Sequence, residues 1–550
     1  MDRLVAEMNN GQVGALIVYG ANPGYSYADA AGFKAAMGKV STVVSFNGYA
    51  DETSAKATYN APDNHYLESW NDLEPMAGRI DFVQPTITPL YNTRSAQESL
   101  LRWSGNSTSY YDYIKATHAG LSADLFNMSI HNGTTHNVTL PKAENTPVVV
   151  SVAPAGNVVV EAAPVVVAAA AIAAPVIAAS PVTYDLATAL SNASSMATGE
   201  WEVSFYQKVT MGAGDYANNP VLQETPDPIT KVTWDNYVAM SPTDVKRLNL
   251  NSYIAQDDPA SVVKVTINGK TVTLPVCPTP GQKPGTIGIA LGYGRGANNE
   301  KIGKAAYQTA ANGEYELNEN GTPKTIGQNA FQFVSTSTTR QYIGTATLEV
   351  TEETYELAST QLHNTVMGRD SVVKETVLAK FLAEKEAEKG TASWNMVPTL
   401  PVHEDVNGDG KINPADRKPV KEFDLWRDHP VEGAGHRWGM TIDLSSCIGC
   451  GSCITACHTE NNVPVVGKDE VRRHRDMHWM RIDRYFSSEY QPIDLAQTLE
   501  KTEEATGKGA IGAYREMENP EENPRTVHMP MMCQHCNHCL LYTSPSPRDS

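Results

Sequence analysis

Cys447-Ile-Gly-Cys450-Gly-Ser-Cys453-Ile-Thr-Ala-Cys457 places four thiols within eleven residues, spaced C-x2-C-x2-C-x3-C. Thiolates in this run suit a 4Fe–4S cubane. The small residues between them, Gly449, Gly451 and Ser452, let the loop curl so that three sulfurs face inward and backbone N–H groups face the cluster. A zinc site normally separates two C-x2-C pairs by a dozen or more residues, so this spacing favours iron and sulfide over zinc or buried free thiols. Met531-Met-Cys533-Gln-His-Cys536-Asn-His538 adds a second run. The candidate iron ligands are therefore Cys447, Cys450, Cys453, Cys457, Cys533 and Cys536. In two-cluster proteins with this motif the fourth cysteine ligates the other cluster. His458 follows Cys457 where a proline is usual, which leaves the start of the next helix open. No ligand role falls to His458, His474, His478, His535 or His538, and the lone Cys277 reads as a small core residue.

A second metal pattern precedes the cysteines. Asp405-Val-Asn407-Gly-Asp409-Gly410-Lys411-Ile412-Asn-Pro-Ala-Asp416 has the order of an EF-hand-type loop. Oxygen donors fall at positions 1, 3 and 5, glycine at 6, the Lys411 carbonyl at 7 and a carboxylate at 12. A structural calcium ion on Asp405, Asn407, Asp409, Lys411 and Asp416 is expected ahead of a plain Asn/Gly/Asp-rich turn, although the flanks do not read as helices. Further on, Arg472-Arg-His-Arg475, Arg481 and Arg484 follow the first cysteine run. They either place positive charge near the cluster or form a solvated face.

The rest of the chain must position these residues. It has 550 residues, 43 Lys+Arg against 62 Asp+Glu, and a net charge of −19, which disfavours a polyanionic partner such as nucleic acid. Apolar residues make up 41 %, enough for sizeable cores. The longest apolar run, 162–179, is Ala-rich and broken by Pro164 and Pro175; it reads as a linker and not as a membrane span. The N-terminus reads as an amphipathic helix entering a strand, as though the chain opens inside a domain. Residues 539–550 resemble a translated sequencing adapter. On that reading Cys539 is not native, and the second cysteine run is cut short, so neither cluster has its full ligand set here.

Residues 1 to about 115 alternate strand and helix, within a first domain expected at 1–145. Gly14-Ala-Leu-Ile-Val-Tyr-Gly20 and Ser41-Thr-Val-Val-Ser-Phe46 read as strands around a helix from Tyr27 to Met37, which implies a doubly wound α/β unit. An Ala/Pro/Val-rich linker is expected at 146–183 and a β-rich domain at 184–365, with a hairpin at Val262–Leu274 turning on Asn268-Gly269. A connector at 366–438 holds a charged helix, Val372 to Lys389, and the calcium-type loop. The cysteine module spans 439–538.

Tyr19-Gly-Ala-Asn-Pro23, Asp51-Glu-Thr53 and Ala61-Pro-Asp63 are similar to the dinucleotide-facing domain of molybdopterin oxidoreductases. Asn219-Pro-Val-Leu-Gln-Glu-Thr-Pro-Asp-Pro-Ile-Thr-Lys231 and Pro284-Gly-Thr-Ile-Gly-Ile-Ala-Leu-Gly-Tyr-Gly294 resemble their β-barrel domain. The whole order resembles the large iron–sulfur subunit of alternative complex III, in which this fold is fused to ferredoxin modules. The resemblance implies a partial doubly wound molybdopterin-oxidoreductase-like domain, a double-psi-type β-barrel and a partial α+β ferredoxin-like dicluster module. It implies 4Fe–4S clusters without molybdenum, and a pterin pocket around Gly20, Asn22 and Asn219 kept as a scaffold. The partners it implies are a membrane-embedded quinol-oxidising subunit and cytochrome c subunits, with membrane association through those partners on the periplasmic side. An active molybdoenzyme with a fused electron-transfer module, and a calcium-dependent structural module, are the other readings.

Overall fold

The computed structural model describes residues 1–135 apart from 77, 200–334 apart from 255–257 and 311, 342–366, 440–487 and 524–532, with shorter pieces at 157–159, 183–185, 187, 372–374, 376–384, 399–402, 405, 408, 410–411, 417–423 and 507. The amphipathic helix Asp2–Asn9 leads into strand Ala15–Val18, which pairs in parallel with Thr42–Ser45. A third short strand, Tyr59–Asn60, continues the parallel sheet. The helix between the first two strands is Ala30–Met37, capped at its N-terminus by the Asp29 carboxylate accepting from Gly32 N. It starts three residues later than the sequence suggests, because that cap competes for the first turn. Met8, Phe33, Met37 and Val43 form the core beneath the sheet.

Residues 200–355 close into a six-stranded barrel. Its strands run in the order Val238–Met240, Lys270–Pro278, Ala260–Ile267, Tyr342–Tyr355, Trp201–Gln207, Thr286–Leu291. Two neighbouring pairs are parallel, Trp201–Gln207 with Thr286–Leu291 and Val238–Met240 with Lys270–Pro278; the others are antiparallel. Period-2 alternation sends Trp201, Val203 and Phe205 inward against Val263, Val265, Ile287 and Ile289. Burying each of these large apolar side chains contributes about 1.5–3 kcal/mol. The expected hairpin is present: Asn268 and Gly269 both take positive φ, as a tight two-residue turn requires. Cys277 is buried in the barrel wall and burial pushes its thiol up to about 12, consistent with a core residue.

The α/β unit and the barrel share a buried contact. Tyr25 enters the barrel core, donates to Tyr293 O at 2.6 Å and meets Phe331 edge-on. Beside it Arg295 grips Glu52 with two nitrogens, Nε to Oε1 at 2.9 Å and Nη2 to Oε2 at 2.8 Å. Gly296 N and Asn22 Nδ2 add further donors to the same carboxylate.

Two expectations change. The helix expected from Val372 begins only at Leu378 and runs to Ala383. The β-branched residues Val372, Val373, Thr376 and Val377 crowd the preceding turn and disfavour helix; residues 385–390 lie outside the described set. Within the expected linker, 157–159 pairs antiparallel with 183–185, so Val158, Val159 and Thr183 form strand. The apolar run 162–179 lies outside the described residues. No described helix is long and apolar enough to cross a membrane.

Candidate metal centre

The first cysteine run is a loop feeding a helix. Cys447 and Cys450 precede helix Ser452–Glu460, which carries Cys453 and Cys457 one turn apart on one face. Gly449 and Gly451 both take left-handed φ, +69° and +79°. At Gly449 an added Cβ would lie 2.6 Å from the His528 ring; no other residue fits that conformation and that gap together. The residue types between the cysteines thus fix how the loop bends.

Cys447, Cys450, Cys453 and Cys457 are all free thiols, half-buried apart from the exposed Cys453. The Cys450 thiol sits below its ordinary value because the Ser452 hydroxyl and N–H hydrogen-bond it, with Oγ 3.4 Å from the sulfur. That favours the thiolate which metals bind. Asn461 Nδ2 lies 3.5 Å from the Cys457 sulfur. Among the described residues no three His, Cys, Asp or Glu side chains converge as a ready-made metal cage. The donor set, the two left-handed glycines and the stabilised thiolate nevertheless fit an iron–sulfur cluster. Cys533 and Cys536 lie outside the described residues.

The loop rests on an antiparallel pair of strands, Arg481–Ser487 with Arg525–Met531. Ile482, Arg484 and Phe486 alternate onto one buried face, opposite His528. Arg484 is 2 % exposed, so the reading of these arginines as a solvated face fails for this one. Its guanidinium donates to Asn364 Oδ1 at 3.0 Å and lies over the Phe486 ring, 4.3 Å from its centroid. The period-2 pattern Ile482-x-Arg484-x-Phe486 was the signal that could have found it. Arg472 closes the short helix Lys468–Arg472.

Buried polar contacts fix this module on the barrel. Glu224 accepts from Val466 N at 3.2 Å and Gly467 N at 2.8 Å, while burial pushes its carboxyl up. Lys468 Nζ lies 2.6 Å from Asp235 Oδ2, both side chains buried, and also donates to Gln308 Oε1 at 2.8 Å. Lys231 Nζ donates to Ile482 O at 2.7 Å. Sequence reasoning missed all three, because each pairs residues more than 200 positions apart, or in Gln308's case 160.

Burial pushes the Lys231 ammonium down to about 8, with Arg484 adding to that effect. Between pH 8 and its ordinary value of about 10.4, the unfolded chain holds this proton and the folded chain does not. Stability from this group therefore rises with pH across that window. Wild type should gain on Lys231→Met by on the order of 3 kcal/mol over the window, at about 1.36 kcal/mol per pH unit. Urea unfolding of both proteins at several pH values checks this; a difference that stays flat contradicts it.

The pocket expected to cradle a pterin is occupied by the protein's own contacts. Asn22 Oδ1 accepts from Thr53 N and Oγ1, and Asn219 Oδ1 caps the helix Pro220–Glu224. The adjoining cavity, about 370 Å³, is lined by Asp51, Asp215 and Asn219, and its cation Arg295 is paired with Glu52. Two carboxylates and a neutralised arginine do not suit a pyrophosphate, so these residues do not fit that group.

In the calcium-type loop, Asp405 Oδ2 accepts from Gly410 N at 2.6 Å, drawing position 6 back to position 1. The loop springs from paired strands, Thr399–Pro401 and Arg417–Pro419, instead of helices. Asp405 and Lys411 are described; Asn407, Asp409 and Asp416 lie outside the described residues.

The arrangement defines a cysteine module docked on a barrel, which on another contact meets a parallel α/β unit. A family described as 4Fe-4S binding domain matches residues 438–459. The chain is 41 % identical over 44 residues to the iron-sulfur cluster-binding subunit of menaquinone reductase from Nitratidesulfovibrio vulgaris, 8 % of this chain and 17 % of that one. It is 30 % identical over 121 residues to the molybdopterin-binding-like subunit of the same organism's menaquinone reductase, 20 % of this chain and 18 % of that one. Over 26 residues, 5 % of this chain, it is 58 % identical to the arsenate respiratory reductase iron-sulfur subunit of Chrysiogenes arsenatis, covering 87 % of that sequence. The chain thus spans under a fifth of the length of either menaquinone reductase subunit. The chain belongs to the family of 4Fe–4S iron–sulfur subunits. Relatives of both the iron–sulfur and the molybdopterin-binding-like kind match the large subunit of alternative complex III that its motifs resemble.

Proposed function

We propose that the chain carries electrons in a respiratory quinol-oxidising complex. In this reading it receives them from a membrane-embedded quinol-oxidising subunit and passes them toward cytochrome c haems, and it is held at the periplasmic face of the membrane by those partners. The observation that carries the proposal is the Cys447–Cys457 loop, bent by Gly449 and Gly451 and backed by His528. Cys447, Cys450 and Cys453 would hold one cluster; Cys457, with Cys533 and Cys536, would contribute to a second. A bound cluster supplies one-electron redox chemistry. The chain's own residues hold the sulfurs, limit water and set the surrounding charge. The barrel is read as the double-psi type and its pterin pocket as inherited scaffold; the acidic cavity supports this over an active molybdoenzyme.

The test uses the anaerobically reconstituted full chain, reduced with dithionite, freed of excess reductant and mixed with oxidised cytochrome c. The proposal expects the cluster's paramagnetic signal to disappear as cytochrome c is reduced. A cluster that stays reduced contradicts it.

We also propose a structural calcium ion in the 405–416 loop, supported by the Asp405–Gly410 contact. Calcium should raise the melting temperature of the full chain, and Asp405→Ala should remove that rise; equal melting with and without calcium contradicts the proposal.

A further inference from the structure

Lys231 belongs to the barrel segment, yet its side chain serves the cysteine module. Its backbone is held at φ +61°, a left-handed conformation that costs a non-glycine residue energy. Two hydrogen bonds fix it there, Lys231 N to Asp227 O and Thr360 N to Lys231 O, each 3.1 Å. The side chain is 2 % exposed and reaches Ile482 O at 2.7 Å. Ile482 lies in the strand pair that sets Arg484 opposite His528, and the His528 ring packs against Gly449, between Cys447 and Cys450. An ammonium from another part of the chain is thus delivered to the wall directly behind the loop. The carboxylates facing Lys231 are already engaged. Asp483 pairs with Arg481 at 2.9 Å, and Asp227 accepts from Ile229 N and Thr230 N. Holding the sulfurs does not need this lysine, and burying a charge is costly.

We infer that Lys231 sets the reduction potential of the cluster on Cys447, Cys450 and Cys453, holding it more positive than the cysteine loop alone would. The inference rests on the reading of those cysteines as ligands. Lys231 is a positioning residue, since its ammonium donates to the Ile482 carbonyl and acts on the cluster through its charge. Reduction adds one electron to the cluster, taken from the titrant, with no bond broken and no proton moved. A fixed positive charge in a poorly solvated wall stabilises the reduced state more than the oxidised one. A unit charge within about 10 Å, at an effective dielectric of about 20, changes a one-electron equilibrium by about tenfold.

The experiment is a dithionite titration of the reconstituted full chain at neutral pH with redox mediators, followed by electron paramagnetic resonance. Lys231→Gln keeps a donor for the Ile482 carbonyl and removes the charge. Its midpoint should move about tenfold in equilibrium constant, 59 mV for one electron, to more negative potential, and Lys231→Arg should restore it. An intact cluster in Lys231→Gln with the wild-type midpoint overturns the inference alone. A wild-type chain that assembles no cluster overturns the ligand reading and the inference with it. Should Lys231→Gln fail to fold, Lys231→Met takes its place: a midpoint shifted to more negative potential supports the inference, and an unshifted one overturns it.

Discussion

Cys450→Ser should lower together the iron and acid-labile sulfide that the full chain binds through Cys447, Cys450 and Cys453, the three ligands we propose for its first cluster. Losing one of three thiolate anchors leaves two, and a serine oxygen is a harder, more basic donor than a thiolate. Cys450 is the sensitive choice among the four. Its sulfur is the one the Ser452 hydroxyl and N–H hold toward the thiolate form, and it closes the bend set by Gly449 and Gly451. Cys277→Ser is the internal control. That thiol is buried in the barrel wall among Val232, Tyr237 and Leu357, and its loss should leave iron content unchanged while costing about 1–3 kcal/mol for a buried hydroxyl. Iron and sulfide assays on the three proteins decide the matter; equal iron in wild type and Cys450→Ser contradicts the ligand assignment.

Arg295→Met should be the most destabilising single change outside the cysteine module. It leaves the Glu52 carboxylate buried between the α/β unit and the barrel with no cation, and breaking a buried pair in this way costs about 3–5 kcal/mol. That is a large part of the roughly 5–15 kcal/mol typical of a folded protein. Asn22 and Gly296 keep their hydrogen bonds to Glu52, so the loss falls on the charge and not on the whole contact. The double variant Glu52→Gln with Arg295→Met removes both charges and should recover much of the loss. The pair also has an acid signature. Burial pushes the Glu52 carboxyl up, but the Arg295 hydrogen bonds and charge, with Asn22 and Gly296, outweigh it and hold it below the usual range. A depressed folded value means its stabilisation is complete above the ordinary glutamate value of about 4.3. It is lost as pH falls from there through the folded value. Urea unfolding at neutral and acid pH measures both effects; an Arg295→Met protein as stable as wild type contradicts the assignment.

The candidate metal site was legible in the sequence because it is local. Cys447 to Cys457 is one short stretch of chain, and the glycines that bend it lie between the candidate ligands. The Asn268-Gly269 hairpin and the parallel strands around Ala30–Met37 were legible for the same reason. The barrel was legible only through the family resemblance of Asn219–Lys231 and Pro284–Gly294 and not from local pattern, since Trp201–Gln207 finds its parallel neighbour at Thr286–Leu291, across some eighty residues with no turn signal to join them. The docking of the cysteine module was hidden for a further reason. Lys231, Glu224, Asp235 and Arg484 look like ordinary surface charges until the fold buries them against Ile482, Val466, Lys468 and Asn364. A lysine at positive φ has no propensity signal; only tertiary contact makes it worth its cost. The helix expected from Val372 failed where local pattern and propensity disagreed, with charges in a helical rhythm but β-branched residues in the first turns.

The most direct measurement is metal and sulfide analysis of the full chain after anaerobic reconstitution with iron and sulfide in the presence of competing zinc. Thiolates grouped as they are from Cys447 onward should take up iron and acid-labile sulfide in equal amounts, turn the protein brown and give a paramagnetic signal on reduction. A colourless protein that retains zinc, without sulfide and without that signal, would contradict the account.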